Sequence, residues 1–219
     1  MKSFDQFLNE GINDPNIFKA VFLAGGPGSG KSFVVGKTAL TAQGLKLINS
    51  DIAFEAALKK AGLAATPENI YSDQGQAIRT NAKILTNKRK KLALAGRLGL
   101  IIDGTGKDYD KIKAQKETLE NHGYECFMIF VNTNESTALK RNQLRSRSLP
   151  DKTVVKMWHA VQDNLGNFQN LFKNRMIIVD NSDNADANAN TLQAYKMIIK
   201  WLSKPVTNPI AKSWMKLQK

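Results

Sequence analysis

Apolar and polar positions along this chain are arranged in blocks. Five short runs are almost wholly apolar: 19–24 (KAVFLA), 45–49 (LKLIN), 99–102 (GLII), 125–131 (ECFMIFV) and 176–179 (MIIV). Short runs without strict alternation fit strands buried on both faces, as in a parallel sheet. Between them lie stretches with helical spacing. Phe54, Leu58 and Ala61 share one face of a helix that starts at Asp51 and ends at Gly62. A long helix is predicted over 73–95, and a charged one from about Tyr109 to His122-Gly123. Asn134 caps a helix carrying Leu139 and Arg141, and Leu149-Pro150-Asp151 breaks it. One further helix runs to about Phe172 and a last one covers 190–203. Strands alternating with helices imply βαβ units with right-handed crossovers, hence an α/β domain with a parallel sheet covered on both faces. The second strand is expected beside the first.

The pattern divides the chain into three parts. Residues 1–17 carry Phe4, Phe7 and Leu8 on one side of a short helix, followed by the turn signal Asn13-Asp14-Pro15-Asn16. Residues 18–203 form the main domain. Residues 204–219 read as a basic tail opened by Pro205 and Pro209, with Trp214 and Met215. Within the main domain, 180–190 (DNSDNADANAN) reads as a solvated linker.

Composition narrows the setting. No apolar stretch approaches the roughly 18 residues of a membrane span. No secretory signal pattern opens the chain. The one cysteine, Cys126, lies in an apolar run, so a reducing, cytoplasmic location is expected. His122 and His159 stand apart and predict no zinc site. Net charge is +13, from 32 Lys and Arg against 19 Asp and Glu, which favours polyanionic partners. The basic residues cluster at Lys83, Lys88, Arg89, Lys90, Lys91 and Arg97, at Lys140, Arg141, Arg145 and Arg147, and along 187–219. Non-specific DNA binding is expected from them, with Trp214 able to stack on a base.

The chemistry begins where the first strand ends. Gly25-Gly26-Pro27-Gly28-Ser29-Gly30-Lys31-Ser32 fits G-x-x-x-x-G-K-[ST], and 33–40 suits a helix. Strand, glycine loop and helix together form a phosphate-binding loop, in which successive N–H groups make an anion site at a helix N-terminus. Gly25, Gly26, Gly28, Ser29 and Gly30 cradle the phosphates of ATP, Lys31 reaches the outer ones, and Ser32 holds Mg²⁺. Three further features fit phosphoryl transfer. Asp51, after the second strand, can accept a proton from a substrate hydroxyl. Asp103 ends the third strand as LIIDGTG, where a carboxylate meets Mg²⁺ or its water shell, with Thr105 beside it as a hydroxyl for substrate. The stretch 139–151 (LKRNQLRSRSLPD) places Arg141, Arg145 and Arg147 before a Leu-Pro break, as in a lid that closes over ATP.

The four motifs GGPGSGKS, INSD, IIDGTG and RNQLRSRSLPD together resemble the zeta-toxin and polynucleotide-kinase branch of P-loop kinases, over about residues 18–180. The resemblance implies an adenylate-kinase-like three-layer α/β sandwich with a five-stranded parallel sheet, ATP–Mg²⁺ as donor and a hydroxyl as acceptor. It implies Lys31 and Ser32 on phosphate and metal, Asp51 as base, and the three arginines in the lid. Arg79 lies where such kinases often place a substrate-contacting arginine. The acceptor implied is a nucleotide, a nucleotide sugar or a nucleic-acid end. The first eleven residues, MKSFDQFLNEG, resemble the capsid-targeting peptides of internal head proteins in large contractile-tailed phages. This gives a second expectation, a DNA-associated head protein that retains a nucleotide-binding fold.

Overall fold

The computed structural model describes residues 13–145 and 148–218, so the N-terminal peptide lies outside the described residues, as does Arg147. β1 (Lys19–Ala24) is buried at every position. A strand with no exposed face sits in the middle of a sheet. β1 pairs in parallel with β3 (Leu100–Asp103) on one side and with β4 (Glu125–Asn132) on the other. β2 (Lys46–Ile48) flanks β3 and β5 (Met176–Asp180) flanks β4, giving the order β2-β3-β1-β4-β5, parallel throughout. The five predicted strands are present. The expected neighbourhood of the first two is not, because β3 lies between them. Three residues of β2, all at least partly exposed, suit an edge, whereas the apolar β3 suits the interior.

Ten helices follow the described chain: α1 (Lys31–Thr38), α2 (Ser50–Lys60), α3 (Pro67–Tyr71), α4 (Asp73–Ala95), α5 (Tyr109–Asn121), α6 (Glu135–Gln143), α7 (Asp151–Asp163), α8 (Leu165–Phe172), α9 (Ala187–Leu202) and α10 (Pro209–Leu217). Alternate residues of the strands divide the core in two. Phe22, Met128 and Phe130 meet Ile112, Phe168 and Phe172 on one face. Leu23, Ile129 and Val179 meet Val34, Ile198 and Trp201 on the other. This is the expected three-layer sandwich. A smaller cluster of Phe54, Leu58, Ile70 and Ala82 binds α2, α3 and α4 together.

Three sequence expectations are corrected. The helix expected to reach Phe172 is two helices, parted at Asn164, whose side-chain amide donates to the Gly106 carbonyl at 3.0 Å. The polar stretch 180–190 is not a solvated linker. Asn181 and Ser182 are buried, and Asp186 caps α9, which starts at Ala187. The basic tail contains a docked helix. Asn208 caps α10, Ala211 is fully buried, and Trp214 meets Phe18 edge-on at 5.4 Å. That packing takes the indole out of the role of a free base-stacking platform. Burial pushes the Cys126 thiol up to about 12, so it stays protonated. No helix among the described residues is long and apolar enough to cross a membrane.

Candidate active site

The carboxyl ends of β1, β2 and β3 open on one cleft of about 510 Å³, lined by Lys31, Asn49, Asp51, Asp103 and Thr105 among others. In a parallel α/β sheet this is the edge where ligands bind. The phosphate loop turns from β1 into α1 with Gly28 at φ +76° and Gly30 at φ +84°, which favours glycine at both. Space demands glycine as well. A Cβ on Gly28 would strike the backbone of Ala138 in α6, and one on Gly30 would strike the side chain of Asn181. The Gly25 N–H donates to the Thr105 carbonyl at 2.9 Å, which ties the loop to the turn after β3.

Lys31 is half-buried at the start of α1, and its ammonium donates to the Gly25 carbonyl at 2.6 Å. Burial pulls its pKa below the usual lysine range. The Asp103 charge opposes this, Arg145 adds to it, and Asp51 opposes it. Burial raises the Asp103 carboxyl, while Lys31 and a hydrogen bond from Asn49 draw it back and Asp51 adds to the rise. The predicted base, metal carboxylate and phosphate lysine therefore share one electrostatic neighbourhood.

Asp51 can be separated from a capping role. Asn49 caps α2, its side-chain oxygen accepting from the Asp51 N–H at 2.7 Å. The Asn49 amide nitrogen donates to Asp103. One asparagine thus aligns both acidic residues, and the Asp51 carboxylate has no hydrogen-bond partner among the described residues. It is exposed on the cleft. The other oxygen of Asp103, Oδ1, is buried and has no hydrogen-bond partner among the described residues. An orphaned carboxylate oxygen in the same cleft as the phosphate loop fits a Mg²⁺ ion or its bound water, with Ser32 exposed at the first turn of α1. Among the described residues, no group of three or more His, Cys, Asp and Glu could hold a metal by itself.

The basic residues divide by position. Lys83 and Lys90 of α4 line the cleft with Thr86 and Asn87, and Lys107 and Lys111 line it as well. Lys88, Arg89 and Lys91 are exposed. Burial and the nearby Lys111 charge lower the pKa of Lys90. Arg79 stacks on the Phe54 ring at 4.8 Å and is absent from the cleft lining, although it continues the same α4 stripe outward at the spacing 79, 83, 87 and 90. Arg145 is exposed and its charge bears on Lys31. Arg141 donates to the Asn181 carbonyl and to the Asp183 carboxylate, both at 2.8 Å.

The arginine-bearing turn is clasped at its base. Buried Asn142 donates to the Leu149 carbonyl at 2.7 Å and accepts from the Leu149 N–H at 3.0 Å. Asn142→Ala leaves both Leu149 groups without these partners and is expected to lower stability by about 1–3 kcal/mol in denaturant titrations.

Asn49, Asn142, Asn181 and the four cleft lysines were not singled out for these roles by sequence. The asparagines look like ordinary loop and cap residues, and the lysines register only as charge. The signal for Lys83 and Lys90 was their seven-residue spacing, which puts both on one face of α4.

The glycine loop, the sheet order and the carboxylates at the ends of β2 and β3 define an adenylate-kinase-like P-loop α/β fold. The chain belongs to the zeta toxin family, whose profile matches residues 13–191. Its fold is similar to a structure from the PezAT chromosomal toxin–antitoxin system of Streptococcus pneumoniae, at 17% identity and TM-score 0.58, covering 90% of this chain and 92% of that one. A Chloroflexus aurantiacus protein described as a kinase gives TM-score 0.52 at 14% identity, covering 87% and 99%. No curated protein matches the sequence. Family membership supports a kinase-like phosphotransferase that binds a nucleotide.

Proposed function

We propose that the protein is an ATP-dependent kinase that phosphorylates a hydroxyl of an anionic, nucleotide-type acceptor: a nucleotide, a nucleotide sugar or a nucleic-acid end. The observation that carries this reading is the Asp51 carboxylate, without a hydrogen-bond partner among the described residues, in the same cleft as Lys31 and Asp103. A phosphate-binding loop alone serves many reactions. A carboxylate on the acceptor side adds the group that takes the proton as the acceptor oxygen bonds to the terminal phosphorus and the bond from that phosphorus to the ADP oxygen breaks, releasing ADP.

In this reading the loop N–H groups hold the donor phosphates and Lys31 spans the outer ones. Arg145 approaches from the turn after α6 and meets charge developing on the transferred group. The Ser32 hydroxyl and Asp103 would hold Mg²⁺, which when bound would supply neutralising charge to the donor phosphates. Thr105 offers a hydroxyl on the acceptor side. Beyond Lys31, the cleft lysines Lys83, Lys90, Lys107 and Lys111 favour a phosphorylated acceptor. Lys90 beside Lys111 is a like-charge pair, and an anion between them relieves the repulsion.

The test is labelled ATP offered with a nucleotide, a nucleotide sugar and a 5′-hydroxyl oligonucleotide. Transfer is expected to a phosphorylated acceptor, and no transfer to any of them counts against the reading. Asp51→Asn should slow the single-turnover step by about 10²–10⁴-fold while ATP affinity stays within about threefold. Lost ATP binding with an unchanged step would make Asp51 a metal or structural residue.

A further inference from the structure

We propose that Asn181 aims the phosphate-binding loop, and that Arg141 acts through Asn181 and not on the transferred phosphoryl group. The inference rests on the nucleotide-binding reading above and assigns work to a segment that the sequence presents as a polar linker.

The geometry starts at one peptide unit. The buried Asn181 side-chain amide donates to the Ser29 carbonyl at 2.7 Å. A trans peptide is planar, so its C=O and the following N–H point in opposite directions. Holding the Ser29 oxygen toward β5 therefore turns the Gly30 N–H the other way, into the loop where phosphates bind. Asn181 is itself fixed from three sides. Its N–H donates to the Asn132 carbonyl at 2.9 Å, extending the β4–β5 ladder by one step. Its carbonyl accepts from Arg141, and its amide group is pressed against Gly30, where a Cβ would collide.

Arg141 completes the clamp. One terminal nitrogen holds the Asn181 carbonyl and the other holds Asp183, which also receives Lys140 at 3.1 Å. The Asp183 N–H donates to Thr137 Oγ1 at 3.2 Å, and the Asn134 N–H donates to Ser182 Oγ at 3.0 Å. These bonds tie α6 and the β5–α9 turn into one piece. That piece grips the loop twice, with Ala138 against Gly28 and Asn181 against Gly30. A guanidinium already committed to a carbonyl and a carboxylate is poorly placed to follow the moving phosphoryl group. Arg145 has neither kind of partner among the described residues, and its charge already bears on Lys31.

The experiment measures ATP affinity by calorimetry, steady-state KM and kcat, and melting temperature on the full chain. Asn181→Asp keeps the shape and replaces the donor with an acceptor. It is expected to weaken ATP binding about tenfold, the equivalent of one lost hydrogen bond, with KM following and kcat within about threefold. Arg141→Ala should weaken ATP binding in the same direction. The double variant Asn181→Asp/Arg141→Ala should bind no worse than the weaker single, because one chain of contacts is cut at two points. ATP binding by Asn181→Asp at the wild-type level overturns the proposal. So does a double variant whose loss is the product of the two singles, which would put Arg141 on the nucleotide independently. Arg141 is half-exposed, so Arg141→Ala carries the test if a change at buried Asn181 prevents folding: weaker ATP binding with kcat within about threefold supports the proposal, and a larger fall in kcat overturns it. A wild-type protein that fails to bind ATP sinks this proposal together with the kinase reading. Wild-type binding with an unaffected Asn181→Asp sinks this proposal alone.

Discussion

Replacing Lys31 by alanine should cut ATP-dependent phosphotransfer by about 10²–10³-fold, the scale of removing one group that stabilises transition-state charge. The fold should survive the change. Lys31 lies at the rim of the sheet, and its ammonium donates to the Gly25 carbonyl of the same loop. Burial already acts against its charge, so deleting the ammonium removes a desolvated ion and leaves the apolar core intact. Melting temperature and transfer rate measured on one sample separate the two effects. An unchanged melting temperature with lost transfer is expected. Near-normal turnover would mean that the loop does not hold the donor phosphates.

A loss of the opposite kind is expected at the other end of β1. Lys19 and Glu125 form a buried ion pair at 2.7 Å, with side chains 2% and 6% exposed. The Lys19 ammonium also lies over the Trp201 ring at 4.7 Å. The second oxygen of Glu125 accepts from the Thr207 N–H at 2.8 Å and from its hydroxyl at 2.6 Å. Burial alone would raise the Glu125 carboxyl, but Lys19 and Thr207 outweigh it and bring it down to about 2. Lys19→Met strands a buried carboxylate and should cost about 3–5 kcal/mol of unfolding free energy. Lys19→Met with Glu125→Gln should recover part of that loss, since no unpaired charge remains. The same pair sets an acid limit. A carboxyl with a lowered folded pKa stabilises fully above its unfolded value near 4.5, and the contribution fades as pH falls from there toward about 2. Denaturant titrations at pH 7 and pH 3 should show the wild type losing more stability on acidification than the double variant. Equal losses would mean that the pair does not control acid stability.

The parts of this molecule legible in sequence are those decided locally. The buried strands announced themselves because apolar runs bounded by polar turns have little alternative to a sheet. The glycine loop was legible because φ values near +80° and close approach by neighbours leave glycine as the residue that fits. The parts that escaped depend on partners far away in the chain. Lys19 at the head of an apolar run gives no sign of a glutamate 106 residues later. Asn181 looked like one of many polar residues in a linker, yet its amide meets a carbonyl 152 residues earlier. The apolar stripe of α10 was hidden among lysines, so Ala211 and Trp214 read as part of a tail although both pack on the core. The place of β2 at the sheet edge was also invisible, because strand order is decided by which strands can afford an exposed side.

That order has a consequence for synthesis. β1 is made first and ends in the middle of the sheet, and its register partner for Ala20 is Leu100, 80 residues later. β2 emerges sooner but gives no relief, because it too pairs with β3. At translation speeds of about 5–20 residues per second, the run from Ala20 to Ala24 stays without a partner strand for roughly 4–16 seconds on every ribosome. During that interval the nascent chain offers a sticky, uncharged segment to its neighbours and to chaperones. The yield of active protein is therefore set in part before β3 has been made, by how well the cell shields one strand.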